Sequence, residues 1–189
     1  MPASSSKLVI ISGPSGAGKS TVVRELLDCG LPLRMSVSAT TRAKREGEID
    51  NVHYHFLSHD EFAKRRAAGE FLECKEVFGR GDWYGTLKSE VEAGFAAGKW
   101  MILEIDVQGA LAVLDQRPDA ITIFIDPGSY EELERRLRSR NTDSEASIQR
   151  RLEVAKREMD QAGLYKHHVV NRTVPEAVQE ICEILKRYQ

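Results

Sequence analysis

The sequence predicts an α/β fold in which a mainly parallel β-sheet is flanked by helices. Three observations predict it. Short apolar, β-branched runs alternate with longer segments of helical periodicity, the pattern of strands joined by crossover helices. A glycine-rich loop stands between the first strand and the first helix. Between Leu33 and Val77 the pattern changes to short alternating pieces, which reads as a β-rich insertion carrying one helix.

The strands expected in the main sheet are Leu8 to Ser12, Trp100 to Asp106 and Ala120 to Ile125, with a weaker one at His168 to Asn171. The first three are apolar at nearly every position, as strands buried on both faces are. Helices are expected from Lys19 to Cys29, stopped by Gly30, and from Leu87 to Ala97, stopped by Gly98, because glycine readily takes the left-handed conformation that ends a helix. Further helix starts are marked by Ser or Thr followed three residues later by Glu, which satisfies two orphan backbone donors at once. Ser58 with Glu61, Ser129 with Glu132, Thr142 with Glu145 and Thr173 with Glu176 fit this spacing. The helix from Ser58 to Ala68 belongs to the insertion, where Tyr54 and Phe56 share one face and His53 and His55 the other, after turn residues from Glu46 to Asn51. Two late helices carry apolar stripes, Ile148, Leu152, Ala155 and Met159 in one, Val174, Val178, Ile181, Leu185 and Tyr188 in the other.

Of the 189 residues 41% are hydrophobic, enough for a core, and the length fits one domain. The formal net charge is -2, whereas a polyanion-binding surface is usually strongly basic, so no nucleic-acid partner is expected and any cationic site is local. Three cysteines without a CxxC pair argue against a disulfide framework and a structural zinc site, and suit a reducing cytoplasm. No apolar run approaches the roughly 20 residues of a membrane span or the core of a signal peptide, so a soluble protein is expected.

Gly13-Pro14-Ser15-Gly16-Ala17-Gly18-Lys19-Ser20 matches GxxxxGK[ST] directly after a strand and at the opening of a helix. Glycines let the backbone wrap around phosphate, and the N–H groups and helix N-terminus face anionic oxygens. Lys19 is placed to bridge β- and γ-phosphates, and Ser20 to ligate Mg2+. The loop therefore predicts a nucleoside triphosphate ligand. A second constellation, Ser36 to Gly47, holds Arg42 and Arg45 three residues apart after a hydroxyl-rich strand. Such a pair can clamp a phosphate monoester, although exposed arginine pairs are commonly just solvated surface. His53 and His55 lack a third ligand and read as surface residues rather than a metal site.

In this order the motifs resemble the guanylate kinase family. The resemblance rests on residues 13 to 20, Ser36 to Arg42, Gly47-Glu48 with Tyr54 to Phe56, Gly69 to Glu73, Tyr84 to Thr86, Leu103 to Gly109, and Arg135 to Leu137 leading into Arg150 to Leu152. It covers essentially the whole chain. It implies a P-loop NTPase core at 1-34, 91-136 and 151-189, a GMP-binding insertion at about 35-90 and a helical LID at about 137-150. The implied activity is Mg2+-dependent transfer of the γ-phosphate of ATP to GMP, and by extension dGMP, within purine nucleotide metabolism.

The resemblance also implies residue roles. Gly13, Pro14, Ser15, Gly16, Ala17, Gly18, Lys19, Ser20 and Thr21 bind ATP, and Asn171 contacts adenine; a turn-forming asparagine fits that position nearly as well. Arg42 and Arg45, with the hydroxyls of Tyr54 and Tyr84, hold the GMP phosphate. Arg140 and Arg151 close onto the transferring phosphoryl group, whereas Arg136 and Arg150 read as solvated helix face. Glu73 and Asp106 accept the guanine N1–H and N2–H, and Ser36 and Thr86 donate toward O6. Glu104 shares the face of Asp106 and could reach Mg2+ through water.

This assignment agrees with the chemistry. The acceptor phosphate is mostly dianionic near pH 7, its second pKa being about 6, so no strong base is needed and positive charge at the transfer point is. The chain departs from the family in three places: Phe78 to Trp83 is longer than usual, which leaves the placement of Tyr84 and Thr86 open, Arg172 replaces a common acidic residue, and Cys74 stands where a bulkier one is frequent. Two rivals remain at this level. A kinase of the same fold with another small phosphate acceptor would lack the paired Glu73 and Asp106, and a non-catalytic scaffold module would typically have a damaged P-loop. No obligate protein partner is evident.

Overall fold

The computed structural model describes residues 6–77, 81–139 and 145–189. Five parallel strands form the main sheet, β1 (Leu8–Ser12), β2 (Leu33–Met35), β7 (Trp100–Glu104), β8 (Ile121–Asp126) and β9 (His167–Val170), in the order β2-β7-β1-β8-β9. Every residue of β1 is buried, as its uniformly apolar sequence requires of a central strand covered on both faces. One side of the sheet packs Val9, Ile11, Trp100, Ile102 and Ile123 against α1 (Lys19–Leu26) and α7 (Val174–Lys186). The other packs Leu8, Ile10, Met101, Leu103 and Phe124 against α3 (Lys88–Ala96) and α4 (Val107–Gln116).

A second, four-stranded sheet has the order β4-β3-β6-β5, from β3 (Ala39–Thr40), β4 (His55–Phe56), β5 (Phe71–Glu76) and β6 (Trp83–Leu87). β6 runs antiparallel to both β3 and β5, and α2 (His59–Ala67) lays Phe62 on Phe71, their ring centroids 4.4 Å apart. The remaining helices, α5 (Tyr130–Arg138) and α6 (Glu145–Met159), meet through Leu133, Leu137, Ile148, Leu152 and Ala155.

Ser58, Ser129 and Thr173 cap α2, α5 and α7, each accepting the N–H of the glutamate three residues on. Thr142 lies outside the described residues. Boundaries differ from the expected ones for local reasons. The first helix ends at Leu26 rather than Cys29, and irregular turns carry the chain to Gly30 at φ 83°. β7 stops at Glu104 because Asp106 turns out of the sheet to cap α4, accepting the Gly109 N–H at 2.9 Å. That helix is not among the elements expected from the sequence. Its signal is the row Val107, Ala110, Val113 and Leu114 at helical spacing, all of it turned toward the apolar core.

Candidate nucleotide site

β1 is the point where the strand order reverses, with β7 on one side and β8 on the other. In open parallel sheets ligands bind beyond the carboxyl ends of the strands at such a point. The loop from Gly13 to Gly18 starts there. Gly13 has φ 144° and lies so close to β8 that a Cβ would stand 2.3 Å from the Ile125 carbonyl oxygen. Gly18 sits in the left-handed region at φ 89° and opens α1, so the first N–H groups of that helix face the loop. Lys19 Nζ reaches back over the loop to the carbonyls of Gly13 and Pro14, at 2.6 and 3.0 Å. Ser20 Oγ donates to a carboxylate oxygen of Glu104 at the end of β7.

Arg151, on α6, donates to Ser15 Oγ at 2.8 Å and so touches the phosphate loop directly. Arg140 lies outside the described residues. Arg136 is not the solvated residue expected. It binds Glu132 on its own helix, donates to the Asn171 carbonyl at 2.8 Å and approaches the Ala17 carbonyl, because its row on α5 faces the loop rather than solvent. Asn171 is 3% exposed and donates its amide to the same Ala17 carbonyl at 2.8 Å. Arg136 and Asn171 together therefore brace the back of the loop.

On the other side of the crevice, Arg42 lies over the Tyr54 and Phe56 rings, 5.4 and 5.8 Å from their centroids. Its Nε donates to the Tyr84 hydroxyl at 3.1 Å, and both terminal nitrogens hold Glu48, at 2.7 and 3.0 Å. This bidentate pair pulls the Glu48 carboxyl down to about 2 and pushes the Arg42 pKa up. Glu48 also accepts the Arg45 N–H at 2.7 Å, while Arg45 itself is exposed. Glu48 thus fixes the whole Arg42 to Arg45 turn. Its signal in the sequence was its spacing, six residues from Arg42 across a glycine.

Glu73 and Thr86 face each other across the β5–β6 ladder, and Thr86 Oγ1 donates to Glu73 Oε1 at 2.7 Å. Burial pushes the Glu73 carboxyl above the usual range, against the lowering pull of Thr86. From Glu73 to Glu76 this ladder runs in regular register after a shift between Phe71 and Glu73, with Tyr84 opposite Lys75 on one side and Thr40 on the other. Asp106 and Glu73 converge on one spot: a Cβ built on Gly109 would lie 3.2 Å from Glu73 Oε2 and 3.5 Å from Asp106 Oδ1. Ser36 is 5% exposed, and its hydroxyl has no hydrogen-bond partner among the described residues. Such a buried hydroxyl is costly unless a ligand or water satisfies it.

Two further charged residues, absent from the expected set, enter the crevice. Glu158 on α6 lies near Ser15, Lys19 and Lys75, and burial raises its pKa. Lys75 forms an ion pair with Asp106. Neither belongs to a motif; only the fold brings them here. His53 and His55 serve their own loop, His53 Nδ1 accepting the Ile49 N–H at 2.9 Å and His55 bonding Asn51 at 2.7 Å. Among the described residues no cluster of three metal-ligating side chains occurs, and no helix is long and apolar enough to cross a membrane.

Comparison with known proteins agrees with this geometry. A family profile described as guanylate kinase matches residues 5–188. A guanylate kinase of Rhodopirellula baltica is 60% identical over 95% of this chain and 87% of its own length. One of Neisseria meningitidis is 48% identical over 94% of this chain and 86% of its own. The crystal structure of guanylate kinase from Anaplasma phagocytophilum superposes with a TM-score of 0.77 at 33% identity, covering 98% of this chain and 87% of that one.

Proposed function

The chain belongs to the guanylate kinase family, whose reaction moves the γ-phosphate of ATP onto GMP, and we propose that two facing half-sites on one sheet edge divide that reaction here. The phosphate loop with Lys19 takes ATP, and the crevice lined by the second sheet takes GMP. The four-stranded sheet with α2 is the acceptor insertion, and the segment about 137–150 is the LID, whose closure brings Arg140 and the adjoining Arg151 onto the transferred group. The observation that carries this reading is the convergence of Glu73, Thr86 and Asp106 beside Gly109, at the same sheet edge as the phosphate loop.

Guanine presents two adjacent donors, N1–H and N2–H, beside an O6 acceptor. Glu73 accepts the donors, Asp106 accepts from the 2-amino group, and the unpartnered Ser36 hydroxyl donates to O6, with Thr86 holding Glu73 in place. Adenine puts a bare N1 against the same carboxylate and has no 2-amino group. A site built on such hydrogen bonds rejects the wrong base by roughly 10⁴-fold, because its own polar atoms lose their partners. Arg42 and Arg45, with Tyr54 and Tyr84, bind the acceptor phosphate, Arg42 being already oriented by Glu48 and Tyr84.

The acceptor oxygen is an anion and attacks without a protein base. Lys19 and Arg151 supply positive charge over the transferred group, and Arg136 and Asn171 keep the loop that presents it rigid. Ser20 and Glu104 offer adjacent oxygen donors, the kind Mg2+ prefers, so they would hold that ion. Bound there, Mg2+ would neutralise the charge on the donor phosphates.

Measuring ADP release with GMP, dGMP, AMP, CMP and UMP as acceptors tests the proposal. Turnover confined to GMP and dGMP is expected. Equal turnover with AMP would overturn the guanine assignment.

A further inference from the structure

Lys75 occupies a place that none of the recognised motifs assigns. It stands on β5 two residues after Glu73, so the two side chains share one face of the strand. Its partner across the ladder is Tyr84, which holds Arg42. From there the ammonium crosses the crevice to the main sheet and pairs with the free oxygen of Asp106, the other one being used to cap α4. Glu73 beside it and Glu158 on α6 are the remaining acidic groups facing it.

The acceptor half-site has an electrostatic problem that guanine cannot solve. Two carboxylates, Glu73 and Asp106, abut the same face of Gly109, and Glu158 adds a third acidic group nearby. Guanine is a neutral base, and it arrives on a phosphate that is mostly dianionic near pH 7. Left alone, the carboxylates would repel the ligand and each other, and one of them would take up a proton. A protonated carboxyl donates where the guanine edge needs an acceptor. Arg42 is committed to Glu48 and Tyr84 on the phosphate side. Among the described residues, Lys75 is the cation seen paired with a carboxylate of the base side.

We propose that Lys75 is a specificity-supporting positioning residue for the acceptor base: its ammonium pins Asp106 between the α4 cap and the crevice, and it supplies the counter-charge that lets Glu73 and Asp106 both act as acceptors for guanine. The proposal rests on the functional reading above. The Lys75 side chain is 35% exposed, so water screens the pairing only in part, while burial pushes the ammonium pKa down and the acidic groups facing it pull it back up.

The test is steady-state kinetics of the full chain with Lys75→Met and Lys75→Arg beside the wild type, with a thermal melt to show that each variant folds. Lys75→Met keeps the length of the stem and removes only the charge. It is expected to raise KM for GMP roughly tenfold, the loss of one charge-assisted hydrogen bond, while kcat and KM for ATP stay within about a factor of two. Lys75→Arg restores a cation at the same reach and should return KM for GMP to within about threefold of wild type. GMP binding measured by calorimetry without ATP should follow the same order, which separates affinity from turnover.

An unchanged or lower KM for GMP in Lys75→Met overturns the proposal, the lower value meaning that Lys75 competes with the base for Asp106. An equal rise in KM for ATP, or no rescue by arginine, overturns it as well. A wild-type chain that does not phosphorylate GMP overturns the functional reading itself and the proposal with it, a result plainly different from active wild type with an indifferent Lys75.

Discussion

The two sheets of this protein solve opposite problems. The parallel sheet buries β1 completely and holds the phosphate loop against β8 and Asn171 with hardly any free space, so its site is made of backbone and one lysine. The second sheet is built from strands as short as two residues, and its site is made of side chains: an arginine held by a carboxylate and a tyrosine, a glutamate steadied by a threonine, and a lysine that reaches across to Asp106. The difference teaches where recognition resides. Triphosphate recognition asks only for dense N–H groups and positive charge, which a rigid backbone provides. Discrimination between bases asks for donors and acceptors in a fixed order, which needs chosen side chains with their own supports.

Breaking the rigid half should therefore stop the reaction, and breaking the adjustable half should redirect or weaken it. The largest effect is expected from Lys19→Met, which removes charge from the transfer point. Turnover with GMP should fall by about 10² to 10³, as on removal of one preorganised transition-state donor, while calorimetric GMP binding persists. Loss of both together would mean that the halves are not separate.

Glu48→Gln comes next. It keeps the shape of the Arg42 support but loses the charge of the pair, so kcat/KM for GMP should fall roughly tenfold with KM for ATP unchanged. Its pH behaviour follows from sign. Glu48 has its pKa lowered by folding, so its pairing stabilises the turn at all pH above the ordinary carboxylate range and is lost as pH falls toward 2. Circular dichroism in acid should show the wild type losing near-ultraviolet tyrosine signal over that window, and Glu48→Gln already lacking the change.

Glu73 behaves in the opposite sense. Burial raises its pKa, so folding is easier with the carboxyl protonated, and its acceptor function is lost as pH falls, earlier than for an exposed glutamate. KM for GMP should rise as pH falls, beginning at a higher pH than an exposed glutamate would cause and beyond the part caused by protonation of GMP phosphate near pH 6. Comparing Glu73→Gln over the same range isolates the share owed to Glu73, since the amide does not titrate. The smallest effect belongs to Tyr54→Phe. The ring keeps its place over Arg42, edge-on to Phe56 and Tyr84, so removing the hydroxyl should cost only a few-fold in KM for GMP.

How far the sequence could be read follows the same division. β1 was readable to the residue, since a strand buried on both faces has a continuous apolar run, and the glycine-rich loop announced itself by spacing. Three helix caps were readable because capping is a contact between residues three apart. β3 and β4 were readable only as alternation, since two-residue strands carry too little pattern to bound. α4 was hidden behind β7, one apolar stretch running into the other with only Ile105 and Asp106 between. Arg136, Lys75 and Glu158 were opaque for a different reason. Each is an ordinary charged residue on an amphipathic element, and its role comes from partners 35 to 119 positions away in one case and from facing elements in the others.

The central claim is that base recognition resides in the second half-site alone. Glu73→Gln tests it most directly, because the amide replaces one guanine acceptor with a donor and leaves volume and fold in place. Measured side by side with both substrates varied, the variant should lose about 10²-fold in kcat/KM for GMP and keep KM for ATP within about a factor of two of wild type. An equal loss on the ATP side, or full GMP activity, would contradict the account.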